Sequence, residues 1–173
     1  MKNCCILTLA AALAAVGSLQ AQNPFSTDAK NAYNGIKNTV TRAAEEMPEA
    51  DYSFSAVPGK TRTYAEIISH IADIQMVLCG LVKGEQKQPG YEKSAKTKAE
   101  ATAALKESFD YCDGVYNSMT DADGAAMVKM FGRDLTKIGV LNFNVAHDNE
   151  MYGTAVVYLR LKGLVPPSSQ RRR

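Results

Sequence analysis

The side chains in this sequence best suited to metal or proton chemistry are its two histidines, His70 and His147. Each falls where the helical pattern described below places the edge or interior of a helix bundle. Two readings follow from the residue types alone. Either each histidine is a buried or half-buried polar side chain satisfied by one hydrogen bond, or the pair belongs to a metal site. A catalytic metal site ordinarily has at least three converging protein ligands, so two histidines by themselves favour the structural reading. The segment Thr120-Asp121-Ala122-Asp123-Gly124 has the acidic spacing of a calcium loop but lacks the further ligands and the distal glutamate that such a loop needs, and it reads as a turn. Cys79 and Cys112 lie on helical segments and read as small buried hydrophobes, with one disulfide in an oxidising compartment as the alternative.

The chain opens with Lys2 and an apolar, Ala- and Leu-rich run from about Cys4 to Leu19, followed by Leu19-Gln20-Ala21. This is the layout of a secretory signal peptide over residues 1–21, cleaved after Ala21. The run is shorter than the roughly 20 residues of a spanning helix, and Cys4 and Cys5 precede it rather than follow it, so neither a membrane anchor nor a lipoprotein is expected. The remaining residues, 22–173, amount to one domain. The expected location is periplasmic or secreted, with no membrane association after cleavage. A net charge of +2, without a basic stretch interleaved with aromatics, argues against nucleic acid. Arg171-Arg172-Arg173 reads as a solvated basic tail.

Four stretches carry apolar residues at helical spacing and none alternates as a strand does, which predicts an all-α fold. The first helix is expected from about Thr27 to Met47, with Ser26 or Thr27 as cap and Pro48 as stop. Thr63, with Glu66 three residues on, opens the second as a capping box. Its apolar stripe runs through Tyr64, Ile67, Ile68, Ile71, Ile74, Leu78, Leu81 and Val82 to Gly84, with His70 at the stripe's edge. A long polar connection through Pro89-Gly90 leads to the third, about Thr97 to Met119. A link of that length allows helices two and three to be something other than antiparallel neighbours. The fourth, about Leu135 to Lys162, shows one apolar line through Val140, Phe143, His147, Met151, Thr154, Tyr158 and Leu161 and an adjacent apolar face through Leu141, Val145, Tyr152, Val156 and Leu159. Only a narrow polar strip of Asn142, Asn149, Gly153 and Arg160 falls opposite, which predicts a helix buried on most sides.

Two motifs carry a resemblance. The segment from Pro58 through Thr63-Tyr64-Ala65-Glu66 to Ser69-His70-Ile71 is similar to the second-helix signature of the DinB-like superfamily. Ala146-His147-Asp148-Asn149-Glu150-Met151-Tyr152-Gly153, followed by Tyr158-Leu159-Arg160 and Lys162-Gly163-Leu164-Val165-Pro166-Pro167, resembles its C-terminal signature. The resemblance implies an up-down-down-up four-helix bundle, often a homodimer. It also implies a divalent metal, nickel or zinc, held by one histidine from the second helix and an H-x-x-x-H pair from the fourth. His70 matches the first ligand and His147 the second, but Met151 stands at the third. Residues four apart on a helix share a face, yet a thioether is a soft, neutral ligand that suits Cu(I) better than Zn²⁺ or Ni²⁺. Glu150, three residues after His147, is the other candidate to complete the set.

The superfamily's known chemistry implies thiol transfer or thiol-dependent isomerisation of a small molecule, with the metal activating the thiol. Export argues against the cytosolic thiol transferases. Three readings result. A metal-dependent enzyme expects the surroundings of His147 to reach solvent. A non-catalytic binding or dimerising bundle that has lost its metal expects Met151 to fill the space between the two histidines. A soft-metal carrier would use His70, His147 and Met151 for copper.

Overall fold

The computed structural model describes residues 23–170; the expected signal peptide and the arginine tail lie outside the described residues. Helix α1, Pro24–Glu46, starts three residues earlier than the sequence pattern predicts. Pro24 occupies the first turn, where its missing N–H would have had no helical partner anyway. The carboxylate of Asp121 then accepts hydrogen bonds from the backbone N–H groups of Ser26 (2.8 Å) and Phe25 (3.2 Å). A cap supplied from almost a hundred residues away leaves no local signal.

The loop after α1 is pinned by aromatics. Tyr52 donates to the carbonyl of Ala44, Tyr64 donates to that of Ala43, and Phe54 packs edge-on against Tyr158. Helix α2, Tyr64–Lys83, opens on the expected capping box: Glu66 N–H donates to Thr63 Oγ1 at 3.2 Å and Thr63 N–H donates to Glu66 Oε2 at 2.9 Å. It closes on Gly84 at φ +79°, a left-handed cap that suits glycine. Thr63→Ala should lower stability by about 1 kcal/mol, read as a lowered midpoint in urea with unchanged slope. An unchanged midpoint would show that the loop anchors alone fix the start of α2.

Helix α3, Tyr91–Ser94, is a single turn in the connection that follows. Asp73 of α2 caps it, accepting from the N–H groups of Tyr91 (2.8 Å) and Glu92 (2.9 Å). Helix α4, Lys98–Ser118, opens on a second capping box, Thr97 with Glu100. Cys79 of α2 and Cys112 of α4 form a disulfide with Cα atoms 5.5 Å apart, which corrects the reading of these residues as plain hydrophobes. The physical reason is that α2 and α4 lie side by side, bringing two buried cysteines together although 33 residues separate them.

A one-turn helix α5, Asp121–Gly124, occupies the segment read as a turn. Strands β1 (Met127–Met130) and β2 (Arg133–Thr136) then form an antiparallel hairpin around Phe131-Gly132. The fold is therefore mostly helical rather than all-α. Strands of four residues are too short for alternation to register, and Phe-Gly is not the Asn-Gly or Asp-Gly pair that announces such turns. Both turn residues take positive φ, +50° and +78°, the backbone of a type I′ turn.

Helix α6, Lys137–Leu161, buries Val140, Leu141, Asn144, Asp148, Met151, Tyr152, Ala155, Tyr158 and Leu159. This face draws on both expected apolar lines with particular departures: Phe143 and Leu161 are exposed, whereas Asn144 and Asp148 are fully buried. The long helices surround one core, with α1 and α2 each packed against both α4 and α6.

Candidate functional site

His70 on α2 and His147 on α6 meet across the α2–α6 seam, with Nε2 facing Nε2 at 3.3 Å and ring centroids 5.1 Å apart. Their side chains are 18% and 13% exposed, so the pair reaches solvent without lying open to it. At 3.3 Å there is no room for a side chain between the rings, and Met151 does not fill the gap as the non-catalytic reading expects.

Each imidazole has a carboxylate behind it. Glu92 of α3 places Oε2 at 2.8 Å from Nδ1 of His70, while its Oε1 accepts from Nε of Arg62 at 2.6 Å. A carboxylate at Nδ1 requires the proton there, which leaves the Nε2 of a neutral ring as a lone pair facing His147. Burial holds the pKa of His70 below the ordinary histidine value, against the pull of Glu92. Burial also works against the charge of Glu92, but Arg62 and His70 hold its carboxyl below the usual range.

Asp148 lies behind His147. Its Oδ1 is 3.8 Å from Nδ1 of His147, too far for a direct hydrogen bond, and neither atom has another partner among the described residues. Gln75 donates to Oδ2 at 2.6 Å, Asn144 donates to Gln75 Oε1 at 3.2 Å and lies 3.3 Å from the hydroxyl of Tyr116, and that hydroxyl donates to the carbonyl of Leu141. Burial pushes the Asp148 carboxyl up to about 6.

The remaining candidates are placed as follows. Met151 is buried on the face of α6 that carries Asp148, and one helical turn after His147. Glu150 is exposed. Among the described residues no three His, Cys, Asp or Glu side chains are grouped to hold an ion. Two protein nitrogens each about 2.0–2.1 Å from a tetrahedral ion stand roughly 3.3–3.4 Å apart, so the spacing of the two Nε2 atoms fits two positions of such an ion. The donor set fits in type and separation, and is short of a third strong ligand.

Sequence reasoning missed Glu92, Asp148, Gln75 and Arg62. Asp148 carried a signal, being an acidic residue four after Asn144 and four before Tyr152 on a mostly apolar helix. Glu92 carried none, because its place depends on Asp73 capping α3. If the histidine pair holds a metal ion, Glu92→Gln should weaken its binding roughly ten- to a hundredfold, the usual effect of losing a carboxylate behind a metal-ligating imidazole. A chelator competition measures this, and equal affinity in the variant would show that Glu92 supports the loop rather than the ring.

The sequence profile of the DinB superfamily matches residues 35–155. No curated protein sequence matches the chain. Among solved structures, a DinB-like protein from Bacillus cereus ATCC 10987 superposes with a TM-score of 0.72 at 15% identity, covering 82% of this chain and 95% of that one. A DinB-like protein from Bacillus subtilis gives a TM-score of 0.67 at 16% identity, with 84% and 99% covered. The mycothiol-dependent maleylpyruvate isomerase gives 0.62 at 16% identity, with 76% of this chain and 59% of that one covered. At these identities the likeness is one of fold.

Proposed function

We propose a metal-dependent enzymatic function for this chain, which belongs to the DinB superfamily. The observation that carries the reading is the pair of imidazoles whose Nε2 atoms face each other at 3.3 Å, with Glu92 fixing His70 from behind. Nε2 of His70 and Nε2 of His147 would hold a divalent ion, zinc or nickel. Such an ion supplies Lewis acidity able to activate a thiol or water at neutral pH. Glu92 keeps the His70 proton on Nδ1, and the Gln75–Asp148 pair keeps the far side of His147 dry and polar. The group activated there is a thiol or water, the first in keeping with the thiol dependence of the isomerase that shares the fold and the second with export away from cytosolic thiols.

The reading includes export and a bundle course of up-down-down-up. Export is supported by the N-terminal apolar run and by the Cys79–Cys112 disulfide, a bond that persists in oxidising compartments. The bundle course is supported by two contacts. Lys98 at the start of α4 donates to the carbonyls of Glu45 and Met47 at the end of α1, while Lys96, just before α4, pairs with Glu66 in the first turn of α2. A homodimer is part of the same proposal.

A second reading, a bundle without metal that binds a partner, draws on Met151, a neutral thioether in place of an imidazole. The two separate in one experiment. The chain from Gln22 onward, without a polyhistidine tag, is incubated with Zn²⁺, Ni²⁺ or Cu⁺ and analysed for bound metal beside His147→Ala. One equivalent of zinc or nickel in the wild type, lost in the variant, is the expected result. No bound metal would sink the first reading in favour of the second, and binding of Cu⁺ alone would point to a soft-metal carrier.

A further inference from the structure

We infer that Arg62 anchors the carboxylate of a small organic acid whose other end reaches the His70–His147 pair. The inference rests on the reading of those histidines as the working centre and names the substrate's charged group.

Arg62 is held at both ends. Its backbone carbonyl accepts from the hydroxyl of Tyr158 at 2.7 Å, and the next residue is the cap of α2, so its Cα is fixed to two helices. Its Nε donates to Glu92 Oε1 at 2.6 Å, and the other oxygen of the same carboxylate lies against Nδ1 of His70. One carboxylate therefore ties the guanidinium to the imidazole, and the charge of Arg62 is felt at the ring, where it disfavours protonation.

The guanidinium carries five N–H donors in a planar fork. Its terminal nitrogens donate to no side chain or carbonyl among the described residues, and the side chain is 43% exposed. An arginine placed only to brace Glu92 needs neither the backbone anchor nor that exposure. Two free terminal N–H groups match the two oxygens of a carboxylate, a bidentate arrangement that lysine cannot reproduce.

Arg62 and Glu92 cancel, and both carboxylate oxygens of Glu92 already accept within the fold. Lys96, 58% exposed, stands on the same rim, with its Nζ 3.5 Å from Glu66 and 3.4 Å from the carbonyl of Glu92. Arg62 and Lys96 are each paired with a carboxylate, so what the rim offers an anion is unused N–H donors rather than net positive charge.

The test uses the metal-free chain, whose only two histidines make their ring signals in a long-range ¹H–¹⁵N spectrum unambiguous. Propionate is titrated against its neutral isostere propionamide. Propionate should move the His70 signals saturably and propionamide should not. Arg62→Met should weaken propionate about tenfold or more and Arg62→Lys less, each titration being read as the change from that variant's own starting His70 signals. Equal propionate affinity in Arg62→Met, or equal binding of the amide, overturns the proposal. Glu92→Gln, which cuts the bridge from Arg62 to His70 but leaves the guanidinium in place, should keep propionate affinity within a few-fold; a loss as large as in Arg62→Met would mean that Arg62 acts only through Glu92 and overturns the proposal. Repeating the titration with Zn²⁺ separates the two readings: propionate binding through Arg62 with no bound ion removes the metal reading alone, whereas bound zinc with Arg62-independent propionate removes this inference alone.

Discussion

A Met151→His variant should bind Zn²⁺ roughly a hundredfold or more tightly than the native chain, since removing even a group behind a ligand changes affinity ten- to a hundredfold and a ligand itself weighs more. Positions 147 and 151 share a face of α6, and Met151 is already buried there, so the new imidazole enters beside His147 rather than from solvent. A hundredfold gain in affinity appears as about 2.7 kcal/mol of added stability at saturating metal. The rise in melting temperature on adding zinc should therefore be larger in the variant by several degrees. Competition with a chromophoric chelator measures the same change directly. A variant no tighter than wild type would mean that α6 does not turn residue 151 toward the Nε2 pair, and the three-ligand comparison would lose its basis.

Opening the disulfide should have the second large effect. Cys79 and Cys112 are fully buried, and their bond closes a loop of 33 residues between α2 and α4. On loop-closure grounds its loss raises the entropy of the unfolded chain by an amount worth about 3–4 kcal/mol. For a domain of this size the corresponding fall in melting temperature is roughly 7–15 °C. The Cys79→Ala/Cys112→Ala chain should melt that much below wild type in the absence of reductant, and the gap should shrink when both are measured reduced. Thiol counting in denaturant supplies the check: two free thiols per unreduced chain from Gln22 onward would mean that the bond does not form in the isolated protein.

The elements were legible wherever their signals are local. The capping box of Thr63 with Glu66 lies within one turn of sequence and marks the start of α2, and the helix expected from about Thr97 begins there on a second box, with Glu100, that only the structure brings out. The apolar stripe of α2 matches its buried face because nearly all of its interior neighbours are apolar. On α6 the buried face takes Val140, Met151 and Tyr158 from one expected apolar line and Leu141, Tyr152 and Leu159 from the adjacent one, together with two polar residues that the pattern does not give. Asn144 and Asp148 are buried with Gln75 as their partner, and pattern reading scores such side chains as surface. Phe143 was counted as core, yet it packs on the exposed ring of Phe131 at the hairpin tip.

The sequence by itself determined that this is a helical domain with two histidines on two helices, since periodicity, caps and the motifs around His70 and His147 are written within a few turns. Tertiary structure decided the rest: that Nε2 faces Nε2, that Glu92 and Asp148 stand behind the rings, that Arg62 borders them, and that the cysteines are bonded. Each of those facts pairs residues from separate elements, and only the packing of α2 against α4 and α6, with α3 capped by Asp73, sets their distances. Helix periodicity repeats every 3.6 residues, whereas a contact between helices depends on how two buried faces interlock, which neither face encodes alone.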